Sequence, residues 1–74
     1  MTDLEKKEIM VKTGLKVKMI RESQSLSLRK LETLAEVDFS QIHRIEKGET
    51  SPSVTTLVSI AKGLGINPKD LLDF

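Results

Sequence analysis

The chain contains no cysteine, tryptophan or tyrosine and only two phenylalanines. Without cysteine, neither a disulfide framework nor a thiolate metal site can staple so small a fold. Without an array of aromatic rings, the stacking platform used for single-stranded nucleic acid is excluded. No run approaches the ~20 apolar residues of a membrane-crossing helix. The stretch Ile9-Met10-Val11 is also too short for the apolar part of a signal peptide, so a cytoplasmic location is expected. No glycine-rich phosphate loop follows a strand, and the single histidine, His43, has no cysteine to work with. Nucleophile, base and orienting group cannot be assembled, so catalysis is not expected. His43 and Glu46, three residues apart, form the one hint of a metal pair, but two ligands on one short helix rarely hold an ion. No metal, cofactor or small-molecule ligand is expected.

What is present is enough for one small domain. Its core has to be built from Leu, Ile, Val, Met and Ala, because a chain this short buries only about 60% of the surface its unfolded form exposes. The formal net charge is only +1, but the charges are unevenly spread. Residues 1–30 carry eight Lys/Arg against four Asp/Glu, and residues 31–74 carry four against seven. A nucleic-acid footprint would therefore be local rather than a field over the whole surface.

The apolar spacing reads as five short helices, with no alternating strand pattern and no repeat. Residues 1–12 are charge-rich with a weak apolar pattern and are read as a flexible arm or an extra turn before a domain spanning 13–74. A first helix fits Thr13 to Ser23, with Val17 and Ile20 facing inward and Leu15 and Met19 forming a second apolar strip. Ser27 caps a second helix, Leu28 to Ala35, in which Leu31, Leu34 and Ala35 repeat at helical spacing. Asp38 restarts the chain almost at once, with Gln41 three residues later completing a D-x-x-Q capping box. The third helix runs to about Lys47 and stops at Gly48, a residue suited to a left-handed C′ position. Ser53 caps a fourth helix carrying Leu57, Ala61 and Leu64, ended by Gly65. Asn67 and Pro68 begin a fifth, Lys69 to Phe74, with Leu71 and Leu72 turned inward.

On a helical wheel, Ile42 and Ile45 of the third helix fall on one side, while Ser40, His43, Arg44 and Lys47 cluster on the other. That outward face offers two long cations, an imidazole and a hydroxyl, groups able to donate to base edges and phosphates in a major groove.

The segment from Leu26 to Leu72 resembles the phage-repressor and Cro family of helix-turn-helix domains, also called lambda-repressor-like or xenobiotic-response-element type, and the resemblance runs over nearly the whole chain from Gly14 onward. The likeness is carried by Leu26-Ser27, Val37, Ile42, the run Arg44-Ile45-Glu46-Lys47-Gly48, Pro52-Ser53, and Leu64-Gly65-Ile66 to Leu71-Leu72. It implies a compact five-helix bundle whose third helix enters the major groove of double-stranded DNA. It further implies Phe39, Ser40 and Arg44 as base-edge readers with His43 beside them, the fork of Arg44 matching the two acceptors of guanine. Lys47, Gly48, Thr50 and Ser51 fall where the family touches phosphate. Arg21 aligns with an arginine that faces phosphate and pairs with the glutamate corresponding to Glu46, so Glu46 joins the capping residues Asp38 and Gln41 as expected structural support.

Three positions depart from the family pattern. Leu28 replaces a phosphate-binding glutamine. Glu32 replaces a small alanine, which implies wider helix spacing or a side chain escaping to solvent. Glu36 replaces the turn glycine and is expected in the left-handed conformation at modest cost.

The resemblance implies a repressor-type transcription regulator, a homodimer on a palindromic operator, with Leu15, Met19, Ile66 and Phe74 as candidate interface groups. The alternatives are the antitoxin of a toxin-antitoxin pair, with a toxin protein as partner, or the controller protein of a restriction-modification system.

Overall fold

The computed structural model describes all 74 residues. Along the chain run α1 (Asp3–Ser23), α2 (Leu28–Ala35), α3 (Phe39–Glu46), α4 (Val54–Leu64) and a 3-10 helix, Pro68–Leu72. The all-helical architecture matches the expectation, with four α-helices rather than five. The fifth segment starts as its sequence demands: the Asn67 side chain accepts the Lys69 N–H and Asp70 closes a capping box. Over only five residues, however, an i→i+4 ladder gains little over i→i+3 bonds such as Asp70 N–H to Asn67 C=O. With about three residues per turn, the adjacent leucines diverge: Leu71 is buried and Leu72 is exposed, not turned inward as expected.

The larger correction lies at the N-terminus. Residues 3–12, read from sequence as a flexible arm or an extra turn, are helical and continuous with the remainder of the 21-residue α1. Thr2 starts the helix, its Oγ1 accepting the Glu5 N–H at 3.1 Å while the Glu5 carboxylate accepts the Thr2 N–H at 2.8 Å. Such a reciprocal cap satisfies two otherwise orphaned donors. At ~1.5 Å per residue, this one helix accounts for most of the molecule's 34 Å long dimension. No helix is long and apolar enough to cross a membrane.

The core is aliphatic: Val17 from α1, Leu31 and Ala35 from α2, Val37 in the turn, Ile42 and Ile45 from α3, Ile60, Ala61 and Leu64 from α4, and Leu71. α2 lies against α4, and α1 crosses α3. That crossing is tightest at Gly14, where a Cβ would stand 2.1 Å from the carbonyl oxygen of Ile45. Only a glycine lets the two helices meet this closely. Leu15 and Met19 stay out of the core and are exposed. Glu36 takes the left-handed conformation that its place in the turn implied, with φ 56° and ψ 39°.

Candidate nucleic-acid interface

The start of α3 is held by two carboxylates. Asp38 accepts the Ser40 N–H at 2.8 Å and the Ser40 hydroxyl as well, while Glu32 of α2 accepts the Phe39 N–H at 3.0 Å. Glu32, half-buried rather than turned fully to solvent, caps the following helix. The D-x-x-Q box does not close, because Asp38 turns to Ser40, two residues on, and the Gln41 side chain does not return to the Asp38 backbone. The hydroxyl and N–H of Ser40 hold the Asp38 carboxyl below the usual aspartate range, and Glu5 is lowered in the same way by the N–H and hydroxyl of Thr2.

A depressed folded-state pKa contributes stability above the unfolded value that is lost as pH falls through the folded one. The melting temperature is therefore expected to fall as pH drops below about 4. Asp38→Asn keeps a capping oxygen without the titration and should make this acid limb shallower. An acid limb identical in the two proteins would show that the cap does not titrate with folding.

Behind α3, Arg21 and Glu46 are locked together. Nε of Arg21 donates to Glu46 Oε2 at 2.7 Å, Nη2 to Oε1 at 3.0 Å, and Nη1 to the Leu26 carbonyl at 2.7 Å. The side chains are only 11% and 3% exposed. This is the pairing the family resemblance implied, but as a largely buried fork rather than a surface contact. The carboxylate raises the Arg21 pKa further above its already high value, keeping the guanidinium charged. Around the pair lies a shallow groove edged by Lys18, Leu28, His43 and Lys47.

On the solvent-facing surface of α3, Ser40, His43, Arg44 and Lys47 are exposed, His43 and Lys47 at the rim of that groove, with Phe39 and Gln41 half-buried. The helix ends in a Schellman arrangement, Gly48 N–H bonding to Ile45 C=O and Glu49 N–H to Arg44 C=O, with Gly48 at φ 71°. Beyond it Thr50 is half-buried and Ser51 exposed. Lys47 Nζ stands 3.2 Å from the Glu49 carboxylate in a half-exposed pair, a weak tie that leaves the ammonium available.

Two contributions to this region were not read from the sequence. Lys7, in the N-terminal extension of α1, donates from Nζ to the Gly48 carbonyl at 2.6 Å, placing a cation at the negative end of α3. Val11, one turn later, packs against Gly48 so closely that a Cβ there would lie 2.9 Å from its Cγ2. These contacts span about forty residues, and no local pattern signals them. Arg29 of α2 stacks over the Phe39 ring, its Cζ 3.7 Å from the centroid. A cation near an aromatic at the start of α3 is visible in the sequence only once the turn geometry is known.

A short helix capped by side chains, locked from behind by a charged fork and outwardly cationic, is the reading unit of a helix-turn-helix protein. The helix-turn-helix family HTH_3 matches residues 17–71. The chain belongs to this family and is a DNA-binding regulator by class. It is 42% identical over 62 residues to the control protein C.BamHI of Bacillus amyloliquefaciens, the match covering 82% of this chain and 76% of that protein. The fold superposes on the restriction-modification controller protein C.AhdI from Aeromonas hydrophila with a TM-score of 0.81 at 29% identity, covering 84% of this chain and 94% of that one. The apo form of the competence regulator ComR from Streptococcus vestibularis is similar over 88% of this chain but only 22% of its own, with a TM-score of 0.82 and 45% identity. These relatives are regulators rather than enzymes.

Proposed function

We propose that this regulator reads its operator through the outward face of α3 and serves as the controller protein of a restriction-modification system. The single observation that carries the site is the asymmetry of α3. Ile42, Ile45 and Glu46 are buried against the fold, while Ser40, His43, Arg44 and Lys47 are exposed on its outer surface. Arg44 and His43 donate to base edges, with Phe39 and Ser40 at the leading end of the helix. The Ser40 hydroxyl donates to Asp38, so its oxygen serves as an acceptor there. Lys47, Arg21 and the donors of Thr50 and Ser51 hold phosphates and fix register, whereas Gly48, expected from the resemblance as a phosphate contact, is buried with its N–H on the Ile45 carbonyl and shapes the loop instead.

The similarity to C.BamHI and C.AhdI, each matched over most of its own length, supports the controller setting. The antitoxin alternative draws no support from these relatives. The active species is a homodimer reading two half-sites roughly 34–36 Å apart. Leu15, Met19 and Phe74 are exposed apolar groups suited to its interface, whereas Ile66 is half-buried against the core.

Selection of bound duplexes from a random pool tests this reading and is expected to return an imperfect palindrome. On the selected site, Arg44→Ala should cost ~1–3 kcal/mol per half-site and relax preference at one symmetric pair of positions, with little effect on scrambled duplex. Lys47→Ala should weaken both duplexes by similar factors and reduce the salt slope by about 1 per subunit. For the unmodified dimer, that log–log slope should be steeper than about −4. If Arg44→Ala lowers affinity for both duplexes equally, Arg44 is a phosphate clamp and sequence reading falls to Phe39, Ser40 and His43. A pool that yields no preferred sequence, or a flat salt response, overturns the proposal.

A further inference from the structure

Arg29 breaks a local rule. It is the second residue of α2, with a positive charge at the positive end of the helix dipole, where an acidic residue would be favoured. Its only carboxylate neighbour within ion-pair range, Glu32, lies 3.8 Å away, outside hydrogen-bond distance. The Glu32 carboxylate is already engaged by the Phe39 N–H. The Arg29 side chain is 71% exposed. It is held instead by its face, stacked at 3.7 Å on the ring of Phe39, the first residue of α3. A stacked guanidinium has its plane fixed while its N–H donors, which radiate in that plane, remain unused. Set against its own helix dipole and held on an aromatic face, with no hydrogen bond to its donors and only the weak 3.8 Å pair with Glu32, Arg29 is a local inconsistency of the kind expected at functional positions.

We propose that Arg29 is a base-reading residue of this protein, its guanidinium held on the Phe39 ring so that its fork meets a guanine edge beside the leading end of α3. The inference rests on the reading above, in which that end of α3 enters the major groove. Phe39 then acts as the platform that orients Arg29 rather than as an independent base-edge reader. The chemistry is that of the arginine–guanine pair, two parallel donors on O6 and N7, which requires the planar fork and is not reproduced by an ammonium. The half-buried position of Phe39 suits this role, because one ring face can lie on the protein and the other under the guanidinium.

The test compares Arg29→Ala, Arg29→Lys, Phe39→Leu and the Arg29→Ala/Phe39→Leu double variant, each checked for folding by thermal melting, on the duplex selected by the unmodified protein and on a scrambled duplex. Arg29→Ala is expected to weaken the selected duplex on the order of 10- to 100-fold per half-site with little change on the scrambled one. Repeating the selection with this variant should show lost preference at one symmetric pair of positions. Arg29→Lys should not restore it. Phe39→Leu should relax the same pair, and the double variant should be no worse than the more affected single variant. The inference is overturned if Arg29→Ala weakens both duplexes equally, if it selects the original site unchanged, or if Phe39→Leu relaxes a different pair of positions and the two losses multiply. If the unmodified protein selects no sequence, the DNA reading of α3 fails and this inference fails with it. If the unmodified protein selects a site that Arg29→Ala also selects, only this inference fails.

Discussion

Replacing Gly14 by alanine is expected to destabilise the fold by about 2 kcal/mol or more, at the upper end of what overpacking normally costs once a helix-propensity gain is subtracted. The added methyl group would stand 2.1 Å from the Ile45 carbonyl oxygen and 3.0 Å from that of Glu46. Both atoms belong to the α3 backbone, which cannot swing aside as a flexible side chain could. Either α1 and α3 separate or α3 slides, and alanine's intrinsic advantage in a helix, about 1 kcal/mol, offsets only part of the strain. For a domain of this size the melting temperature should fall by roughly 10 °C or more, since each kcal/mol shifts it by about 4–8 °C.

Gly65→Ala is the informative control. Nothing lies within 4 Å of a Cβ at that position, so only its left-handed φ of 70° opposes the change. That cost is about 1–2 kcal/mol. Specific DNA binding should suffer more from Gly14→Ala than from Gly65→Ala, because the displaced element is the one that carries Arg44. A Gly14→Ala protein melting within a degree or two of the unmodified one would show that the crossing is looser than described.

The parts of this structure legible in the sequence are those governed by neighbouring residues. Ser27, Ser53 and Asn67 cap the helices they were expected to cap, Gly48 and Gly65 take left-handed conformations, and Glu36 does so without being glycine. Each of these choices is set within four residues of chain. The outward set Ser40, His43, Arg44 and Lys47 followed from the 3.6-residue period alone, because Ile42 and Ile45 fix which side of α3 faces the core.

Most of what escaped was non-local; the Thr2–Glu5 box and the Asp38–Ser40 pair are the local exceptions. Residues 3–12 have too weak an apolar pattern to announce a helix; the Thr2–Glu5 box, Lys7 on the Gly48 carbonyl and Val11 against Gly48 hold them in place. Glu32 read as an intruder because its partner, the Phe39 N–H, lies across the turn. The D-x-x-Q spacing of Asp38 and Gln41 was a correct cap paired with the wrong donor, because Ser40 brings an N–H and a hydroxyl to the same carboxylate. Arg21 and Glu46 could be paired through the family resemblance, but their burial depends on how closely α1 meets α3, which Gly14 decides.

Burial changes what a mutation at Glu46 should do. Between exposed groups the pair would contribute only ~0.2–1 kcal/mol, but here the Arg21 side chain is 11% exposed and has two of its donors on the Glu46 carboxylate. Glu46→Ala leaves that guanidinium buried with only the Leu26 carbonyl to receive it. Because Arg21 also borders the open groove, the expected loss lies above that of an exposed pair but below the ~3–5 kcal/mol for a fully buried one, about 2 kcal/mol, and is measurable by denaturant unfolding.

Removing both charges should behave differently. Arg21→Met/Glu46→Leu eliminates the unpaired ion and fills the same space with apolar atoms, so most of the stability should return. The strong non-additivity of the two substitutions would itself establish their coupling. Affinity for DNA should not return with it, because the double variant still lacks the guanidinium proposed to hold a phosphate beside Lys47. Glu46→Ala melting as the unmodified protein does would mean that water solvates Arg21 and the fork is a surface pair. A stable double variant with undiminished DNA affinity and an unchanged salt slope would confine Arg21 to orienting α3 from behind.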